Sequence, residues 1–182
     1  MLKDKTAPRY DDYSFFVYGL IRQLHCRSVF EVGLGPYGNT AKAILTAFKE
    51  NEEILGDGYN PRYTVVDLEP TEYALEVLES FDKKYWELRV GDSANSTLFQ
   101  QVGIQSDLAL IDGCHTTQYC FNDLANLLAY NNFDTFNGLV VFHDTRMPTV
   151  AVAIQKLKET FNLDVFYLPQ NSSIALAKIK GS

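Results

Sequence analysis

Apolar positions in this chain fall into two alternating patterns. Strand-length segments lie at 29–32, 63–66, 86–90, 108–111, 139–142, 165–168 and 174–177. Between them, apolar residues recur every three or four positions, the spacing of a helix with one buried face. Phe16, Val17, Leu20, Ile21 and Leu24 predict a helix over 12–24, capped by Asp11 or Asp12. Ala41, Ile44, Leu45 and Phe48 predict one over 39–49, followed by a loop at 51–61 rich in Gly, Asn and Pro. Pro70 and Thr71 open a third helix, with Ala74, Val77, Leu78, Phe81 and Tyr85 on its face. A short helix is expected near 96–101. Another starts at Thr116 or Thr117 and carries Phe121, Leu124, Leu127 and Leu128. The last begins at Pro148, with Val150, Ala153, Ile154, Leu157 and Phe161 inward.

Strands that alternate with helices and read as apolar runs predict an α/β fold: a doubly wound, mostly parallel seven-stranded sheet covered on both faces. The final two strands are joined by a short polar turn at 169–172. They must run antiparallel, because a parallel return needs a longer crossover. With 182 residues and no linker or repeat, the whole chain reads as one domain, with 1–11 as a flexible arm.

Composition narrows the function. A net charge of −7 without any basic run argues against a nucleic-acid partner. Apolar stretches are too short for a membrane span, and the N-terminus lacks the apolar core of a signal peptide. Three cysteines without C-x-x-C spacing (Cys26, Cys114, Cys120) fit a reducing compartment, so a cytoplasmic location is expected. A small-molecule substrate is the expected partner, and a homo-oligomer stays open.

The chemistry gathers at strand ends. Gly33, Gly35 and Gly38 follow the first strand at G-x-G-x-x-G spacing and lead into a helix. Such a loop exposes main-chain N–H groups to a ligand. The predicted strands end, in order, at Glu31, Asp67, Asp92, Asp112 and His143-Asp144. Each single acid is explicable as a helix cap. The succession predicts a crevice of carboxylates at the ligand edge of the sheet. An acidic crevice suits the cationic sulfonium of S-adenosylmethionine (SAM). Asp67 can accept from both ribose hydroxyls, Asp92 and Ser93 can reach the adenine side, and the glycine loop can face the amino-acid carboxylate.

A nicotinamide-dependent oxidoreductase is the first rival, since the three glycines also match a dinucleotide fingerprint. Against it, the strand-two acid comes later than the ~20 residues expected after the glycines, and no second domain is left for a reducible substrate. A non-catalytic SAM-binding protein on the same fold is the second rival.

The segments EVGLGPYGNT (31–40), VVDLEP (65–70), GDS (91–93), LIDGCH (110–115) and VVFHDT (140–145) together resemble class I SAM-dependent methyltransferases. More narrowly, they resemble the family that includes macrocin- and cephalosporin-type O-methyltransferases, methyltransferase family 24. The resemblance implies a Rossmann-like methyltransferase fold and methylation of an oxygen on a small molecule or sugar. It implies SAM contacts at Glu31, Gly33, Gly35, Asp67, Asp92, Ser93 and Asp112. It also implies a divalent ion, Mg or Mn, at Asp112, His143 and Asp144. His115, just past strand four and close to Asp112, is the expected general base, its ordinary pKa lying near neutrality. His25 is expected to be structural. Tyr10, Tyr13 and Tyr37 are candidates for an aromatic wall, with core packing the plainer expectation.

Overall fold

The computed structural model describes residues 11–99, 107–130, 138–168 and 173–179. Seven strands form one sheet in the order β3-β2-β1-β4-β5-β7-β6. They are β1 (Ser28–Val32), β2 (Arg62–Asp67), β3 (Trp86–Val90), β4 (Leu108–Ile111), β5 (Leu139–Phe142), β6 (Leu163–Tyr167) and β7 (Ala175–Ile179). The first five run parallel, and β7 lies antiparallel between β5 and β6. The chain winds outward from β1 in one direction and from β4 in the other. That reversal leaves a crevice above the carboxyl ends of these two strands, where open α/β sheets bind ligands.

The helices are α1 (Asp12–Leu24), α2 (Asn39–Leu55), α3 (Glu72–Glu79), α4 (Thr117–Tyr130) and α5 (Pro148–Phe161). Alternate strand residues feed two cores. Val29, Tyr63, Val65, Leu108 and Leu110 pack with Val17, Ile21, Ile44 and Phe48 under α1 and α2. Phe30, Val66, Ala109 and Phe142 pack with Leu124, Leu127, Ile154 and Leu157 under α4 and α5. The two-residue period therefore decides which layer each strand side chain joins.

Local chemistry sets most boundaries. Asp11 caps α1, its carboxylate accepting from the Ser14 N–H at 2.7 Å. The helix stops at His25, in the left-handed conformation (φ 51°), which is the structural role expected of it. Thr71 caps α3 and Pro148 occupies the first turn of α5. Some expected boundaries move. Helix α2 continues to Leu55, because Asn51 is drawn inward, donating to the Ile21 carbonyl at 3.1 Å, and the break comes only at Gly56 (φ 76°). Helix α3 closes at Ser80, so Phe81 lies beyond it, and Tyr85 belongs to a separate 3₁₀ turn over Lys83–Tyr85 that Asp82 caps. Strand β6 starts at Leu163, directly after the left-handed Asn162. The short helix is a 3₁₀ turn over Ser96–Phe99. The expected arm up to residue 10, Tyr10, the end of the short helix at 100–101 and the turn at 169–172 lie outside the described residues.

Candidate active site

The glycine loop is shaped by contact as well as by torsion. Gly33 (φ 94°) follows β1, and its N–H donates to the Val66 carbonyl at 2.9 Å. A β-carbon at Gly33 would sit 2.3 Å from the Asp112 carbonyl oxygen, so only glycine lets this turn lie against the end of β4. Gly38 (φ 58°) starts α2 without a side-chain cap, so the helix's first N–H groups are left to the loop.

Above the switch point lies a cleft of about 360 Å³, whose walls include Gly33, Asp67, Asp92, Ser93, Asp112 and Tyr119. A smaller hollow of about 140 Å³ adjoins it at Gly33, Gly35 and Asp112, and is bounded by Tyr13, Gly38 and His143. Asp67 holds the glycine loop, its Oδ2 accepting from the Leu34 N–H at 2.8 Å and its Oδ1 from the Glu69 N–H at 2.9 Å. Asp92 accepts from the Ala94 N–H at 2.9 Å and from the Tyr119 hydroxyl at 3.1 Å. Both acids thus brace their own turns while facing the cleft.

Glu31 lies elsewhere. Its side chain points below the loop into the core under α1 and is fully buried. The Tyr63 hydroxyl donates to its Oε2, whereas Oε1 has no partner among the described residues. Burial pushes the Glu31 carboxyl well above the usual range, against the pull of the Tyr63 bond.

At the ends of β4 and β5, four side chains form one network. His143 Nδ1 meets Asp112 Oδ1 at 2.9 Å and Asp144 Oδ2 at 3.5 Å. His115 Nε2 meets Asp144 Oδ2 at 3.1 Å and Asp112 Oδ1 at 3.6 Å. Asp144 adopts the left-handed conformation (φ 50°), which turns the chain so that its carboxylate faces both rings. Burial works to raise Asp112, but the facing His115 ring and the bond to His143 outweigh it and hold the carboxyl below its ordinary range. His115 is raised, chiefly by the facing carboxylate of Asp112. Burial opposes the charge on His143, yet Asp112 and Asp144 raise it too. Asp112, His143 and Asp144 also offer ligand atoms within 4.8 Å of one another.

Of the residues read from the sequence, Gly33, Gly35, Asp67, Asp92, Ser93 and Asp112 line the main cleft, and His115, His143 and Asp144 close on Asp112. Tyr13 is buried and stacks on His143, ring centroids 4.2 Å apart, whereas Tyr37 is exposed and packs edge-on against Tyr73. Cys114 lines the cleft with a free, exposed thiol. The residues missed are Tyr119, Asp123 and Asn126 of α4. Their spacing of four and three positions was the available signal, a polar line on a helix read only for its apolar face.

One family profile, described as a methyltransferase domain and numbered 24, matches residues 30–145, more than half the chain. The fold is similar to that of the O-methyltransferase TomG from Streptomyces achromogenes, solved in complex with SAM. The TM-score is 0.69 at 14% identity, over 93% of this chain and 80% of that one. It is similar to an O-methyltransferase from Bacillus cereus in complex with SAH, with a TM-score of 0.64 at 16% identity over 95% and 84%. It is similar also to CalS11, a TDP-rhamnose 3′-O-methyltransferase of calicheamicin biosynthesis, at 0.68 and 16% over 93% and 80%. No curated protein matches the chain in sequence. At these identities the solved structures speak for the fold, and the family profile speaks for membership. The chain belongs to methyltransferase family 24 and is a class I SAM-dependent methyltransferase.

Proposed function

We propose that the chain methylates a hydroxyl oxygen of a small molecule, with SAM in the cleft over Gly33 and Gly35. The observation that carries this reading is the paired arrangement above one switch point: a glycine cradle on one side, a histidine–carboxylate network on the other. Asp67 is held by two main-chain N–H groups, so its carboxylate is fixed for a ribose diol. Asp92 and Ser93 serve the adenine end. The uncapped start of α2 faces the adjoining hollow and suits the amino-acid carboxylate, since a helix N-terminus favours negative charge. Bound there, SAM supplies a methyl group on a positively charged sulfur.

His115 is the residue that takes the proton of the acceptor hydroxyl. Asp144 and Asp112, at 3.1 and 3.6 Å, stabilise the imidazolium that forms. Asp112 also faces the glycine loop, so the network and the cradle share one wall. The donor set of two carboxylates and one imidazole is compatible with Mn or Mg, the imidazole favouring Mn. Such an ion would be held by Asp112, His143 and Asp144 and would lower the pKa of an acceptor hydroxyl. The loop Thr145 to Met147, between Asp144 and the start of α5, borders the acceptor.

The test is turnover of methyl-labelled SAM with a panel of hydroxylated small molecules and sugars, with and without EDTA, read by mass spectrometry. An O-methyl product lost in His115→Gln supports the assignment. Label found only on nitrogen or carbon acceptors contradicts it.

A further inference from the structure

Helix α4 turns a polar line toward the cleft. The Tyr119 hydroxyl donates to Asp92 at 3.1 Å, and two turns later Asn126 Nδ2 donates to the Ser93 carbonyl at 3.2 Å. Between them stands Asp123. It is fully buried, on a helix whose next apolar positions, Leu124 and Leu127, are also fully buried. Among the described residues no hydrogen bond of full geometry reaches either carboxyl oxygen, and Ser93 is the polar side chain that comes close enough to favour the charged form. A β-carbon built on Gly113 would come within 3.4 Å of Asp123 Oδ2, so the carboxyl sits directly behind that glycine. Ser93 is its polar neighbour on the other side and eases its charge. Gly113 and Ser93 both line the main cleft, from loops that follow different strands. A mid-helix acid is not a cap, and the charged group nearest to it in effect is another acid, Asp92. Desolvating such a group is costly, so its presence calls for a role.

We propose that Asp123 is a positioning residue for the purine end of the cofactor cleft. Lodged between Ser93 and Gly113, it sets the separation of the two loops between which the adenine ring enters. Tyr119 and Asn126 hold the Asp92–Ser93 loop on either side of it. This rests on the reading that Asp92 and Ser93 serve the adenine end of SAM.

The same geometry makes the slot sensitive to ionisation. Burial pushes the Asp123 carboxyl up to about 7. Asp92 faces it from the loop after β3, and Tyr119 and Cys120 from its own helix. An ionised Asp123 is repelled by Asp92 and draws water behind the wall, which spreads the loops.

The experiment is calorimetric binding of 5′-methylthioadenosine, which keeps the adenine and ribose but lacks the amino-acid half near His115 and His143. Wild-type affinity is expected to fall about tenfold or more between about pH 6 and about pH 8.5, the titration of one carboxyl. Asp123→Asn, which imitates the neutral acid, should match the wild type at the lower pH and hold its affinity within about twofold across the range. Asp123→Ala, which leaves the loops unsupported, should bind about tenfold more weakly throughout. Thermal unfolding without ligand shows that Asp123→Asn is folded, so its flat profile is not loss of structure. Wild-type binding that ignores pH, or an Asp123→Asn profile that follows the wild type, overturns the inference while leaving the cofactor reading intact. A wild type that binds neither methylthioadenosine nor SAH overturns both.

Discussion

Gly33→Ala and Gly35→Ala separate a loop that tolerates positive φ from a loop that must also lie against its neighbour. Both glycines have φ in the region side chains avoid, 94° and 67°. A β-carbon at Gly35 meets nothing within 4 Å among the described residues, whereas one at Gly33 falls 2.3 Å from the Asp112 carbonyl oxygen and 2.8 Å from its carbon. The torsional cost alone is about 1–2 kcal/mol. Gly35→Ala should therefore lower the melting temperature by roughly 2–8 °C and leave Asp112 in place. Gly33→Ala bears that cost and must also push the Asp112 backbone back by about 1 Å, a misplacement worth on the order of 100-fold in rate. The assay is paired: thermal unfolding for stability, and initial rates at saturating SAM for chemistry. Expected is a modest loss of stability in Gly35→Ala and a larger one in Gly33→Ala, with a collapse of turnover, measured well below either melting temperature, confined to Gly33→Ala. Equal turnover in the two variants would refute the argument that Gly33 exists to let the cradle touch the end of β4.

Asp67→Ala removes both the proposed ribose acceptor and the bond that holds the Leu34 N–H, so SAH affinity should fall by about tenfold to 100-fold, read by calorimetry. For His115, the raised pKa means the ring must lose its proton before it can act, so turnover should rise with pH through a value above the ordinary 6.5 and then level off. His115→Gln should abolish that limb, and a rising limb that survives the substitution assigns the base elsewhere. A carboxyl raised when folded contributes stability that is complete below its unfolded pKa and is lost as pH rises to its folded one. Asp123 thus costs the wild type on the order of 4 kcal/mol between pH 3.8 and about 7. Asp123→Asn should then resist urea better than the wild type at about pH 8 and lose that margin near pH 4. An unchanged difference across pH would show that the carboxyl is not desolvated.

The strand segments and helix faces were readable because every buried strand is a short apolar run and every helix has one apolar stripe. The places that escaped were set by single side chains acting across space. Asn51, polar in a stretch that reads as loop, is what carries α2 through to Leu55 by bonding the Ile21 carbonyl. Three of the strand-end acids, Asp67, Asp92 and Asp112, reach the main cleft as their positions implied. Glu31 does not, since it precedes the loop by two residues, and the strand's alternation turns it into the α1–α2 core toward Tyr63. The histidine network was recognisable from its residue types, but the left-handed turn at Asp144 that closes it on His115 leaves no mark in the sequence. Asp123 was hidden for the opposite reason, as one acid among apolar neighbours on a helix that already accounted for its buried face.

The central claim is that the cleft over the glycine loop is a SAM site. Calorimetric titration with SAH and, separately, with NADH tests it most directly. One SAH bound per chain, weakened by Asp67→Ala, with no NADH binding, is the predicted result. NADH bound in the absence of any SAH binding would contradict the account.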